Sequence, residues 1–255
     1  MLNESRCLRE MASKMEFIIK EPIDFSNSTL ITGFQGIGAV GYIAVKHLVS
    51  ELKPKKIGYI ISKYMADTVF FENNKVLLPY EIYFYSDGKQ KIVLVLNNAQ
   101  PVMNERVEYA SKLILWAKKN KISKGIFIGG LDKSTREESE KDSFKCVPSS
   151  SFKEKIPGPI LSKELMIIGP LALLVAFSEI YDFPSLTILP YAEILRPDPA
   201  AAAVAVNVIN EILNLNIDVN RLYEDAKIIE ERVKKFEEFQ KALESRVKER
   251  VSHYM

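Results

Sequence analysis

Two groups of residues carry the chemistry that can be read from this chain. The first is Gly36-Ile37-Gly38-Ala39-Val40-Gly41, in which Gly36, Gly38 and Gly41 fall in the order G-x-G-x-x-G. Glycines at that spacing, between a strand and a helix, let backbone N–H groups face an anion such as a nucleotide phosphate. The second is the last three residues, His253-Tyr254-Met255. A penultimate tyrosine beside a free carboxylate offers a ring for apolar contact, a hydroxyl for one hydrogen bond and a charge for a lysine. One group points to a small anionic ligand, the other to insertion into a partner protein.

Each group needs particular elements to position it. The glycines follow Thr29-Leu30-Ile31-Thr32-Gly33, an apolar run that predicts a strand, and precede a helical pattern over Gly38–Leu52. Phe34-Gln35 stand between the strand and the motif, and the next strand ends in Ser62-Lys63 rather than an acid for ribose hydroxyls. A dinucleotide site wants that acid. The competing reading is a tight strand-to-helix turn with close helix–sheet contact. The tail follows a charged run from Val219 to about Ser252. Leu222, Ala226, Ile229, Val233 and Phe236 repeat at steps of four and three, and Leu243 and Val247 continue the stripe. A helix of that length spans ~50 Å. Its apolar stripe wants either the parent domain or the same helix of another subunit.

Other chemistry is sparse. His47 lies in a helical pattern, and no nucleophile elbow, Walker loop or H-E-x-x-H occurs. Asp132 follows Gly129-Gly130-Leu131 at a strand end, and Glu193, Arg196 and Asp198 cluster after another, where a loop ion pair is the favoured reading. Cys7 and Cys146 have no metal-ligand spacing, so neither a metal nor a cofactor is expected, and free thiols of a cytoplasmic protein are. A net charge of +2 is too small to imply a nucleic-acid footprint, so no nucleic-acid partner is expected, and the longest apolar stretch, Leu165–Phe177, is too short to span a membrane.

The alternation of apolar runs and helical patterns from Glu16 to about Leu215 predicts an α/β fold with a mostly parallel or mixed sheet between helices. Expected strands include Leu165–Ile168; Val69–Tyr85, turning at Asn73-Asn74, reads as a hairpin on one sheet edge, and Asn104 as a helix N-cap. Residues 130–158 read as a long polar loop with one short strand near Phe144–Val147. Three regions result: a flexible extension (1–15), a core domain (16–215) and a charged helix with its docking tail (216–255).

Taken together, Gly33–Gly41, Gly129-Gly130, Gly169-Pro170-Leu171-Ala172-Leu173-Leu174 and Pro197-Asp198-Pro199-Ala200-Ala201-Ala202 form an ordered set over Glu16–Leu215 that resembles the archaeal-type proteasome assembly chaperone family. The resemblance implies a three-layer α/β/α sandwich like that of nucleoside phosphorylases, without their reaction. It also implies a homo-oligomer that engages the α-subunits of the proteasome core particle through a C-terminal hydrophobic-Tyr-X tail. Carried to this chain, Tyr254 is the anchor and Met255 supplies the carboxylate, while His253 stands where a hydrophobic residue is expected. The expected function is therefore a non-catalytic proteasome assembly or binding factor. The alternative is an enzyme binding a nucleotide or phosphorylated small molecule at Gly36, Gly38 and Gly41.

Overall fold

The computed structural model describes residues 15–72, 74–137 and 140–235. Its strands are β1 (Glu16–Ile19), β2 (Thr29–Gly33), β3 (Lys55–Ile61), β4 (Phe70–Glu72), β5 (Lys75–Leu77), β6 (Tyr80–Ser86), β7 (Lys91–Asn97), β8 (Lys124–Ile128), β9 (Leu131–Asp132), β10 (Phe144–Pro148) and β11 (Ser185–Ala192). The helices are α1 (Val40–Leu52), α2 (Arg106–Lys119), α3 (Pro170–Ile180), α4 (Pro199–Leu213) and α5 (220–235).

One nine-stranded sheet runs β1-β3-β6-β7-β2-β8-β11-β10, with β9 beside β11. The central strands β7, β2, β8 and β11 are parallel, and the flanks are antiparallel. Central strands are apolar without alternation because both faces are covered. Ile31, Leu94, Ile126 and Ile188 face α1 and α4, whereas their neighbours Leu30, Val93, Phe127 and Leu189 face α2 and α3. The result is the expected α/β/α sandwich with a mixed sheet.

Local chemistry explains the helix limits. In α4, Asp198 caps the first turn by accepting from the Ala201 N–H at 3.0 Å, Pro199 supplies the first helical position, and Asn214 ends the helix in a left-handed conformation. Likewise α3 begins with Pro170 after Gly169. The expected cap at Asn104 is not used. Asn104 sits inside a tight turn, Met103–Glu105, and α2 starts after Glu105 without a side-chain cap.

Two further expectations change. The Leu165–Ile168 run forms no strand; it finds no neighbouring strand to pair with, and its side chains border a cleft instead. The hairpin is confined to β4 and β5, a two-stranded sheet of its own. By contrast β6 is an inner strand, because its residues from Tyr80 onward pair with β3 on one side and β7 on the other. The strand expected near Phe144–Val147 is β10, an edge strand antiparallel to β11.

Core packing continues past residue 215. Ile217 and Leu222 are buried with the α1–α4 face, Asn210 grips both the N–H and the carbonyl of Ile217, and the His47 ring hydrogen-bonds the Asp218 carbonyl at 2.7 Å. These contacts fix where α5 starts. Ala226, Ile229 and Val233 continue the less exposed face, while most residues between them are exposed. Tyr223, Ala226, Ile229 and Glu230 border a shallow cleft with Arg196, Pro199 and Val204, so α5 runs back alongside α4 toward its N-terminus.

Candidate site at the carboxyl edge of the sheet

Strands β2, β7, β8 and β11 all end at one edge, and β2 is the switch point: its α1 leads to one side of the sheet, while α2 carries the chain from β7 across to β8. Crevices in α/β folds open at such a place. Here a cavity of about 440 Å³ lies between the turn after β2, the turn after β8 and the segment leading into α3. Its walls are mainly apolar, from Phe34, Ile37, Leu131, Leu165, Ile167 and Leu171. That volume lies within the range of small-molecule sites, ~300–1,000 Å³.

Backbone contacts shape this edge. A Cβ on Gly33 would lie 2.6 Å from the Gly41 Cα, and one on Gly41 would lie 2.4 Å from the Ile128 carbonyl oxygen. Glycine at both positions lets α1 press against β2 and β8. Gly130 meets the Ile37 carbonyl in the same way, at 2.6 Å, which joins the two turns that floor the cleft. A buried chain of hydrogen bonds holds the end of β2. Tyr109 donates to Asn97 Oδ1 at 2.5 Å; Asn97 Nδ2 donates to the Gly33 carbonyl at 2.9 Å and to Thr32 Oγ1 at 3.0 Å. Burial pushes the Tyr109 phenol well above its ordinary range, so it stays a donor.

The three glycines of the G-x-G-x-x-G motif serve different ends. Gly41 is a packing glycine. Gly38 has φ of 59° and is covered: a Cβ there would meet Ala192, Asp198 and the Glu193 carbonyl, and its own carbonyl accepts from the Asp198 N–H at 2.8 Å. Gly36 alone faces open space, at the cleft. The space over Gly38 is thus filled by Ala192, Asp198 and the Glu193 carbonyl, which leaves no room for a phosphate at that glycine. The packing glycines thus fit the strand-to-helix turn better than an anion cradle.

The acids at neighbouring strand ends have structural partners. Asp132 accepts from the Ser134 N–H at 2.8 Å. Glu193 pairs with Lys133 at 3.2 Å and Arg196 at 3.8 Å, and Asp198 accepts from the N–H groups of Glu193 and Ala201. This is the loop ion pair the sequence suggested. Among the described residues no group of three or more His, Cys, Asp and Glu can hold a metal, and no helix is long and apolar enough to cross a membrane. Cys146 is buried and free, and burial pushes its thiol up to about 11. His253, Tyr254, Met255 and Cys7 lie outside the described residues.

Sequence reasoning missed Arg106 and Glu105. Both follow Asn97-Asn98-Ala99-Gln100-Pro101, a polar exit from a buried strand, which is the signal that could have found them. Arg106 reaches the cleft wall, with its Nε donating to the Pro101 carbonyl at 3.1 Å. Glu105 is buried, and its desolvation, with the like charge of Glu108, raises its pKa against the lowering effect of Ser62 and the Tyr64 backbone. The rim of this edge also exposes large apolar side chains, among them Phe71, Met103, Met166, Ile168, Ile194 and Leu195.

The arrangement of turns and helices has counterparts. The family model of the PAC2 family matches residues 30–237. The chain belongs to the PAC2 family. A curated relative, the uncharacterized protein MJ0106 of Methanocaldococcus jannaschii, is 23% identical over 231 residues, covering 89% of this chain and 93% of the relative. Among solved structures, Pyrococcus furiosus PbaB, described as an archaeal proteasome activator, is 23% identical, with a TM-score of 0.72 over 88% of this chain and 99% of that one. Pyrococcus furiosus PbaA, described as an archaeal homolog of proteasome-assembly chaperone, is 24% identical with a TM-score of 0.72 over 95% of this chain and 100% of that one. At these identities the PAC2 likeness establishes the fold.

Proposed function

We propose that this PAC2 family chain is a non-catalytic, cytoplasmic, homo-oligomeric protein that assembles on the proteasome. In this reading, His253-Tyr254-Met255 dock in pockets of the core-particle α-ring, with Tyr254 as the anchor and the Met255 carboxylate paired with a lysine. The observation that carries it is the course of α5. Its inner face is held by Leu222 and its neighbours, and it returns along α4 to the carboxyl edge. The described part of α5 therefore brings the chain to that edge. The proteasome-related descriptions of PbaA and PbaB favour the same partner. Several tails on one oligomer can raise avidity by ~10²–10⁴ without new contacts.

Co-elution with purified core particles tests the proposal. Tyr254→Ala, or removal of residues 253–255, should abolish co-elution and leave the oligomer's mass unchanged. Undiminished co-elution of the shortened protein would exclude tail docking.

A further inference from the structure

Arg106 has no carboxylate within ion-pair distance among the described residues, although it is half-buried on the wall of a mainly apolar cleft. A guanidinium is charged at every physiological pH, and one taken partly out of water calls for a counter-charge. Its orientation is fixed, because Nε is bound to the Pro101 carbonyl and the rest of the fork is left for another acceptor. Two acids also border the cleft. Asp132 is turned to the Ser134 N–H, and Glu164 is exposed to water. Gln100 likewise spends its side-chain amide on the Gln35 carbonyl. Arg106 is thus the cation on this wall, with guanidinium N–H groups that have no acceptor among the described residues.

We propose that the cleft binds a small monocarboxylate with an apolar body, its carboxylate on Arg106 and its hydrocarbon between Ile37, Leu131, Leu165 and Leu171. An Arg fork suits a carboxylate bidentately, and the about 440 Å³ cavity has the mostly apolar wall that shelters a hydrocarbon. The mouth fits ligand entry: Met166 and Ile168 stand 76% and 71% exposed on the segment that borders it. This inference is independent of tail docking, since it rests on no residue beyond 235.

Octanoate is the probe, with octan-1-ol as its neutral counterpart, and the full-length protein is titrated by calorimetry and thermal shift. Saturable octanoate binding is expected, at least tenfold tighter than octan-1-ol. Arg106→Leu should remove that preference. Met166→Trp, a change at an exposed position, should obstruct the mouth and weaken octanoate binding while leaving the melting temperature of the unliganded protein unchanged. Equal binding of the acid and the alcohol by the native chain would overturn the proposal, whatever the fate of the variants. So would octanoate binding unaffected by Met166→Trp. Binding seen only after removal of residues 253–255 would assign the carboxylate to the chain's own terminus and overturn the small-molecule reading. Co-elution with core particles is a separate readout, so failure here leaves tail docking standing.

Discussion

Gly33 and Gly41 touch backbone to backbone, the would-be Cβ of Gly33 lying 2.6 Å from the Gly41 Cα. No side chain separates α1 from the end of β2, and the same surface of α1 abuts the carbonyl of Ile128 on β8. Gly41→Ala should therefore destabilise the fold by at least the ~1–3 kcal/mol of an overpacked core, because the obstructing atoms are backbone and cannot rotate away. Gly36→Ala, which meets nothing within 4 Å, should cost less than 1 kcal/mol (about the helix and turn scale for glycine). Chemical denaturation of both variants checks the contrast.

The Tyr109–Asn97–Gly33 chain should be energetically visible. Tyr109→Phe leaves the Asn97 Oδ1 buried without its donor, a loss of about 1–3 kcal/mol. Tyr85→Phe removes an exposed hydroxyl bonded to Asp87 and should change stability by no more than about 0.5 kcal/mol. Urea titrations of the two variants give the comparison.

Glu105 predicts a pH dependence. Burial raises its folded pKa above the unfolded value, so the native state holds the proton more tightly. Stability linked to this group is complete below the ordinary glutamate range and is lost as pH rises through that range to the folded value. Glu105→Gln imitates the protonated form. It should raise the melting temperature at pH 7–8 and give little gain near pH 4. Melting curves across that window decide; a gain that is constant with pH would show that Glu105 titrates elsewhere.

Leu222 anchors α5. Leu222→Ala should cost about 2–5 kcal/mol if the body responds as a single core, and it should speed hydrogen exchange in 220–235 before that of α4. Exchange measured by mass spectrometry separates the two helices.

The sheet was legible because its central strands carry apolar runs without alternation. Ile92 to Leu96 is buried from end to end, and a run of that kind fits a strand covered on both faces. Leu165–Ile168 has the same apolar content and failed as a strand, since pairing requires a neighbour that composition does not reveal. The glycine motif was legible as a turn, but its three members look alike in sequence. Only the fold shows that Ile128 approaches Gly41 and Asp198 approaches Gly38, while Gly36 is left open. For Arg106 the sequence offers only its place after a polar strand exit. Its interest lies in an absent acid, and absence depends on what the fold brings near.

Because α5 doubles back along α4, the cleft and the far end of α5 share one pole of the molecule, and Lys53 and Lys121, both exposed, mark the other. A single large body approaching that first pole would cover the cleft mouth and the far end of α5 together. Fluorophores placed at Lys53 or Lys121 would then stay in solvent and report the complex by energy transfer without obstructing it.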